Sequence, residues 1–104
     1  MEALDILITA LWECGAFGTD CNNKDSFLKK IKGARLEILP NGFCFKKGVG
    51  TGYVFVMITE REKTKTLTSA ICFGNHYRYY SQIHLKKQAA FRATYEKILE
   101  VIAD

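Results

Sequence analysis

The chain lacks every short motif that would tie it to a metal or a nucleophile. There is no CxxC, no HExxH and no cysteine and histidine cluster at zinc spacing: Cys14 and Cys21 lie seven residues apart, His76 and His84 eight. It contains no internal repeat or low-complexity tract, and with 48% hydrophobic and 25% charged residues its balance is that of a folded globular chain. Wholesale disorder and fibrous repeats are thereby excluded. A run of about 20 apolar residues, the length a membrane span needs, is also missing. MEALDILITALW at the start is apolar but carries no basic flank and is followed by no small-residue cleavage pattern, so neither a signal peptide nor a membrane span is expected. A cytoplasmic protein is expected on that basis, with Cys14, Cys21, Cys44 and Cys72 as reduced thiols and with no metal and no cofactor. At 104 residues the chain is expected to form one domain, 1–104.

Basic residues are missing from one end. Residues 1–23 hold four acids and no lysine or arginine, whereas residues 24–97 hold all fifteen bases against five acids. The net charge of +4 therefore understates a basic body of +10 behind an acidic head. Such asymmetry points to a polyanionic partner.

What is present divides into two periodicities. Leu4, Leu7, Ile8 and Leu11 recur at helical spacing, ended by Gly15 or Gly18. NNKDSFLKKIKG offers Asn23 or Asp25 as a cap, Phe27, Leu28 and Ile31 as an inward face and Gly33 as a stop, which predicts one or two turns of helix. In ARLEILPNGFCFKK, apolar alternation on either side of Pro40, Asn41 and Gly42 predicts a hairpin, with glycine supplying a positive φ. KKGVGTG breaks the pattern and reads as a flexible connection, YVFVMI as a strand covered on both faces, and LTSAICF as the last strand. From about residue 81 to residue 103 the period is helical again, with Phe91, Tyr95, Ile98, Leu99 and Ile102 on one face. The expected class is α+β: an N-terminal helix, a short second helix, a three- to four-stranded antiparallel meander, and a long C-terminal helix packed on one sheet face. If the helices cover one face, the other must carry either Tyr53, Phe55 and Met57 or Val54, Val56 and Ile58, and either choice leaves apolar area open for a ligand or a homodimer.

Two stretches have the composition of a binding surface. GNHYRYYSQIHLKKQ at residues 74–88 gathers Tyr77, Tyr79, Tyr80, His76, His84, Arg78, Lys86 and Lys87. Strand alternation would bury part of HYRYY, whereas an exposed loop would offer stacking platforms beside Arg78. Lys86 and Lys87 fall where a helix dipole is positive, so free N–H groups with a Ser81 cap would make an anion site there. The second stretch, KKGVGTGYVFV, is similar to the RNP1 motif of RNA-recognition modules. Two extra residues before Tyr53 and a leading helix depart from that family, which is set aside, while Tyr53 and Phe55 remain as residues able to stack bases. KKQAAFRA at residues 86–93 resembles the start of the final helix of double-stranded-RNA-binding domains. Ala90 stands where that family has lysine and the family's loop motif is missing, so the likeness is an analogy only.

The expected function is a small non-enzymatic binding or regulatory protein. It would dock on a nucleic acid or ribonucleoprotein surface through Tyr77, Arg78, Tyr80, His84, Lys86, Lys87 and Arg92, with Tyr53 and Phe55 stacking or forming an interface. A protein-interaction module, or a compact dimeric inhibitor of the mobile-element type, is the main alternative. A small ribonuclease using His76 or His84 is a third.

Overall fold

The computed structural model describes residues 3–15, 24–73, 79, 80 and 83–103. Helix α1 (Ala3–Glu13) buries Leu4, Leu7, Ile8 and Leu11 along one stripe. It ends at Gly15, whose φ of 72° would strain any side chain and whose N–H donates to Trp12 O at 3.0 Å. Helix α2 (Lys24–Ile31) places Phe27 and Ile31 one turn apart, both fully buried. Asp25 lies inside its first turn and so is not the cap; Asn23 and Gly18 lie outside the described residues.

Five strands follow as an antiparallel meander in the order β1-β2-β3-β4-β5: Arg35–Leu39, Gly42–Val49, Gly52–Glu60, Leu67–Phe73 and the two-residue Tyr79–Tyr80. The first hairpin forms at the expected place, with Leu39 opposite Gly42 and Pro40 and Asn41 as its loop. The role of Gly42 differs from the expectation. It has no positive φ; instead a Cβ there would sit 1.8 Å from the Ile58 carbonyl oxygen, so glycine is required for β2 and β3 to approach.

KKGVGTG is not a flexible connection. β2 runs through Gly48 and Val49, Val49 pairs with Gly52, and Gly50 at φ 61° turns the chain in two residues. A glycine at positive φ in the first central position is the signature of a type II′ turn, whose twist matches that of the flanking strands. Glycines that looked like a break are thus part of the longest hairpin in the sheet.

The C-terminal helix starts later than its hydrophobic period suggests. Helix α3 spans Gln88–Ala103 and is entered through a 3-10 turn at Leu85–Lys87. His84 caps that turn, its Nδ1 accepting the Lys86 N–H at 3.2 Å. The apolar spacing upstream belongs to Ile83, which is buried without being helical. Gln88 then fixes the helix to the sheet. Leu67 N–H donates to its Oε1 at 2.9 Å, while its Nε2 donates to Leu67 O at 2.9 Å and Ile83 O at 3.0 Å. The side-chain amide thus takes the place of a strand neighbour at the start of β4, beyond the reach of β5.

The three helices among the described residues lie on one face of the sheet. Val54, Val56 and Ile58 of β3, with Phe43, Phe45, Leu67 and Ile71, form the core against Leu7, Ile8, Leu11, Phe27, Phe91 and Ile98. Phe43 stacks on Tyr95 of α3, the ring centroids 5.7 Å apart and 12° from parallel. One polar group enters this layer: Ser69 Oγ, on a residue 1% exposed, has no hydrogen-bond partner among the described residues.

Candidate functional site

The alternation that buries Val54, Val56 and Ile58 turns Tyr53, Phe55 and Met57 to the other face, which no described helix covers. Strand register assembles their neighbours. Lys46 and Cys72 lie on either side of Phe55, with Arg35 beyond Lys46; Cys44 and Ala70 flank Met57; Thr59 faces Thr68. Tyr53 is 45% exposed, its ring 6.0 Å from that of Phe55, and Lys46 Nζ lies 4.1 Å above its centroid. An exposed cation–π contact of this kind contributes about 0.5–1 kcal/mol, little enough for the ammonium to exchange the ring for a phosphate. Among the described strand residues of this face Glu37 is the one acid. Beside it, a groove of about 610 Å³ at the end of the first hairpin is lined by Arg35, Glu37, Lys46, Lys47 and Gly48 among others.

Cys44 on this face is not poised to react. Burial pushes the Cys44 thiol up, assisted by Glu37 and opposed by Lys46, so it is a neutral small side chain at neutral pH. Cys72 Sγ lies 3.7 Å from the Tyr53 carbonyl oxygen, to which its S–H donates. Cys14, at the end of α1, is likewise pushed up by burial, with Lys87 acting against it and Glu13 with it. Among the described residues no three histidine, cysteine, aspartate or glutamate side chains come together as a metal cluster.

The described basic members of the expected site, His84, Lys86, Lys87 and Arg92, lie at and just after the start of α3. Tyr77 and Arg78, with His76 and Ser81, lie outside the described residues. The Tyr80 backbone pairs in β5 with Ile71, a core position, and that of Tyr79 with Cys72 of the open face. His84, Lys86 and Lys87 are exposed at the 3-10 turn, where the N–H groups of Lys86, Lys87 and Gln88 are engaged. Lys86 N–H meets His84 Nδ1, Lys87 N–H donates to His84 O at 2.8 Å, and the Gln88 N–H is directed to Leu85 O. Three of the N–H groups at this helix start thus have partners within the turn, and Lys86 and Lys87 stand exposed beside them. The same turn borders a cleft of about 380 Å³ whose Gln88 amide is already bonded to Leu67 and Ile83.

Arg92 has a structural task. Its Nη2 bonds the Glu60 carboxylate and the carbonyl of Lys65, the one non-glycine residue at positive φ among those described, and so clamps the β3–β4 loop to α3. Tyr53 opens β3 while this clamp and Gln88 lie at its far end, beside Glu60 and Leu67. Seven steps of strand separate Tyr53 from Glu60, about 23 Å. Lys46 is the site residue that sequence reading missed. Its signal lay in the type II′ turn, since pairing Val49 with Gly52 places Lys46 directly across from Phe55.

Comparison of the chain with family models, with curated proteins and with solved structures gives no match. No helix among the described residues is long and apolar enough to cross a membrane.

Proposed function

We propose that the protein is a non-enzymatic binder of single-stranded nucleic acid, and that the open sheet face carries the contact. The reading rests on one observation: Tyr53, 45% exposed, lies beside Phe55 on a face that no described helix covers, with the Lys46 ammonium 4.1 Å from its ring. Base stacking needs an exposed π surface held rigidly, and a central strand of a meander holds it with little side-chain entropy left to lose. Phosphate neutralisation needs a cation within reach of the stacked base, which Lys46 supplies, with Lys47 in the adjoining groove. A basic body of fifteen bases to five acids over residues 24–97 adds long-range attraction for a polyanion.

No base-edge reader is needed on such a face, so weak sequence preference is expected. Fluorescence anisotropy with a short labelled oligouridylate and the matching oligothymidylate tests the proposal. Binding is expected at about 50 mM salt and should fall steeply by about 200 mM as counterion release is lost. Absence of binding to both probes at the lower salt overturns the reading.

A further inference from the structure

We infer that strand β1 is a self-pairing edge through which two copies of the chain join their sheets. The starting point is a mismatch between side chains and position. Leu36 and Ile38 stand on the helix side of the sheet, yet they are 39% and 63% exposed. The helical layer stops short of them: α2 packs on β2 and β3, and among the described residues β1 has β2 as its sole strand neighbour. Aliphatic side chains on an uncovered edge strand invite strand addition.

The backbone is arranged for the same event. Glu60 N–H donates to Asn41 O at 2.8 Å, which sets the phase of the ladder: alternate residues 43, 45 and 47 bond β3, and residues 42, 44 and 46 bond β1. Their partners Leu39, Glu37 and Arg35 direct N–H and C=O inward, so Leu36 and Ile38 direct theirs to the free edge.

The occupant follows from charge. Antiparallel pairing of β1 with a second β1 keeps side-chain faces matched in three registers. Centred on Glu37, it opposes two carboxylates at close range, which is unfavourable. Centred on Ile38, it sets Leu36 against Pro40, which has no N–H to give. Centred on Leu36, it sets Arg35 of each copy against Glu37 of the other, twice, and Ile38 against Ala34, whose N–H is held by Ile31 O at 2.9 Å, so that charge pairing and not an extra ladder bond favours this register. Neither Arg35 nor Glu37 has an ion pair within its own chain among the described residues. The strand RLEIL is thus self-complementary in one register and discouraged in the others.

The resulting two-fold axis is perpendicular to the sheet, so both open faces lie on the same side and both Glu37 carboxylates are neutralised. The inference does not rest on what the open face binds, and a failure to bind nucleic acid leaves it standing.

Sedimentation velocity over a concentration series tests it on the full chain with Ile38→Lys, Arg35→Glu, Glu37→Arg and the double swap of Arg35 and Glu37. The wild type should show a reversible monomer and dimer equilibrium. Ile38→Lys and each single reversal should weaken it about tenfold or more, and the double swap should restore it to within about threefold. Circular dichroism shows which variants fold; the altered side chains are exposed, and if Ile38→Lys does not fold the reversal series decides alone. A wild type that stays monomeric up to about 1 mM, single reversals that associate like the wild type, or a double swap as weak as the singles would overturn the inference.

Discussion

At the scale of single residues, identity is set by close approach as often as by conformation. Gly42 sits in the sheet with no unusual φ, and its missing side chain is what matters, because the obstacle at 1.8 Å is a carbonyl oxygen of the adjacent strand that cannot rotate away. Gly42→Ala should therefore destabilise the fold by about 3 kcal/mol or more, at the upper end of overpacking effects, measured by urea unfolding. A midpoint equal to that of the wild type would contradict the packing described. Glycine beside Asn41 does signal a turn, so position was legible in the sequence while cause was not. Only Ile58 on the neighbouring strand, sixteen residues away in sequence, reveals which property of glycine is being used. Arg92 teaches the same point for charge: its place on the polar side of a helix is visible in the sequence, but the Glu60 carboxylate and Lys65 carbonyl that occupy it come from the end of β3 and the loop that follows.

Among elements, the ones drawn correctly from sequence are those whose signal is local. The periods of α1 and α3, the alternation of β1 and β4 and the turn at Pro40 depend on neighbours within a few residues. The boundaries that shifted depend on tertiary partners. α3 begins at Gln88 because a 3-10 turn capped by His84 precedes it and because the Gln88 amide is bonded to β4. That clip also predicts an outcome. Gln88→Ala leaves the Leu67 N–H and C=O without their partner and should lower stability by about 1–3 kcal/mol. Hydrogen exchange should show the Leu67 amide losing protection more than the amides of β2, whose partners are untouched; equal protection in variant and wild type would rule the clip out. Glycine-rich KKGVGTG was the costliest segment to read as a break, because the hairpin it forms is what brings Lys46 to Phe55. Half of the candidate site, Tyr53 and Phe55, was thus legible from alternation, and the cation beside them was not.

For the whole molecule, burial on one face and openness on the other have separate consequences. Burial on both sides of the sheet holds groups that favour protonation when folded. Cys44 and Cys14 are pushed above their ordinary value of 9.0 and Tyr95 above 10.0, in each case chiefly by burial. Below pH 9 these groups keep their protons in both states and their contribution is complete. Above it the unfolded chain releases protons that the folded chain retains, so stability should fall as pH rises through the range from about 9 upward. Urea midpoints measured between pH 8 and about pH 10.5 check this, and a midpoint that rises across the interval would contradict it. The open side carries the proposed contact. Its most direct test compares anisotropy titrations of a short single-stranded oligonucleotide with the wild type, with Tyr53→Ala and with the double variant Lys86→Ala and Lys87→Ala. The account predicts that Tyr53→Ala weakens binding by about tenfold or more, from a stacking loss of about 1–3 kcal/mol, while the double variant loses only the smaller, salt-dependent share of two distant charges. Wild-type affinity in Tyr53→Ala together with collapse in the lysine variant would place the contact at the start of α3 and contradict the account.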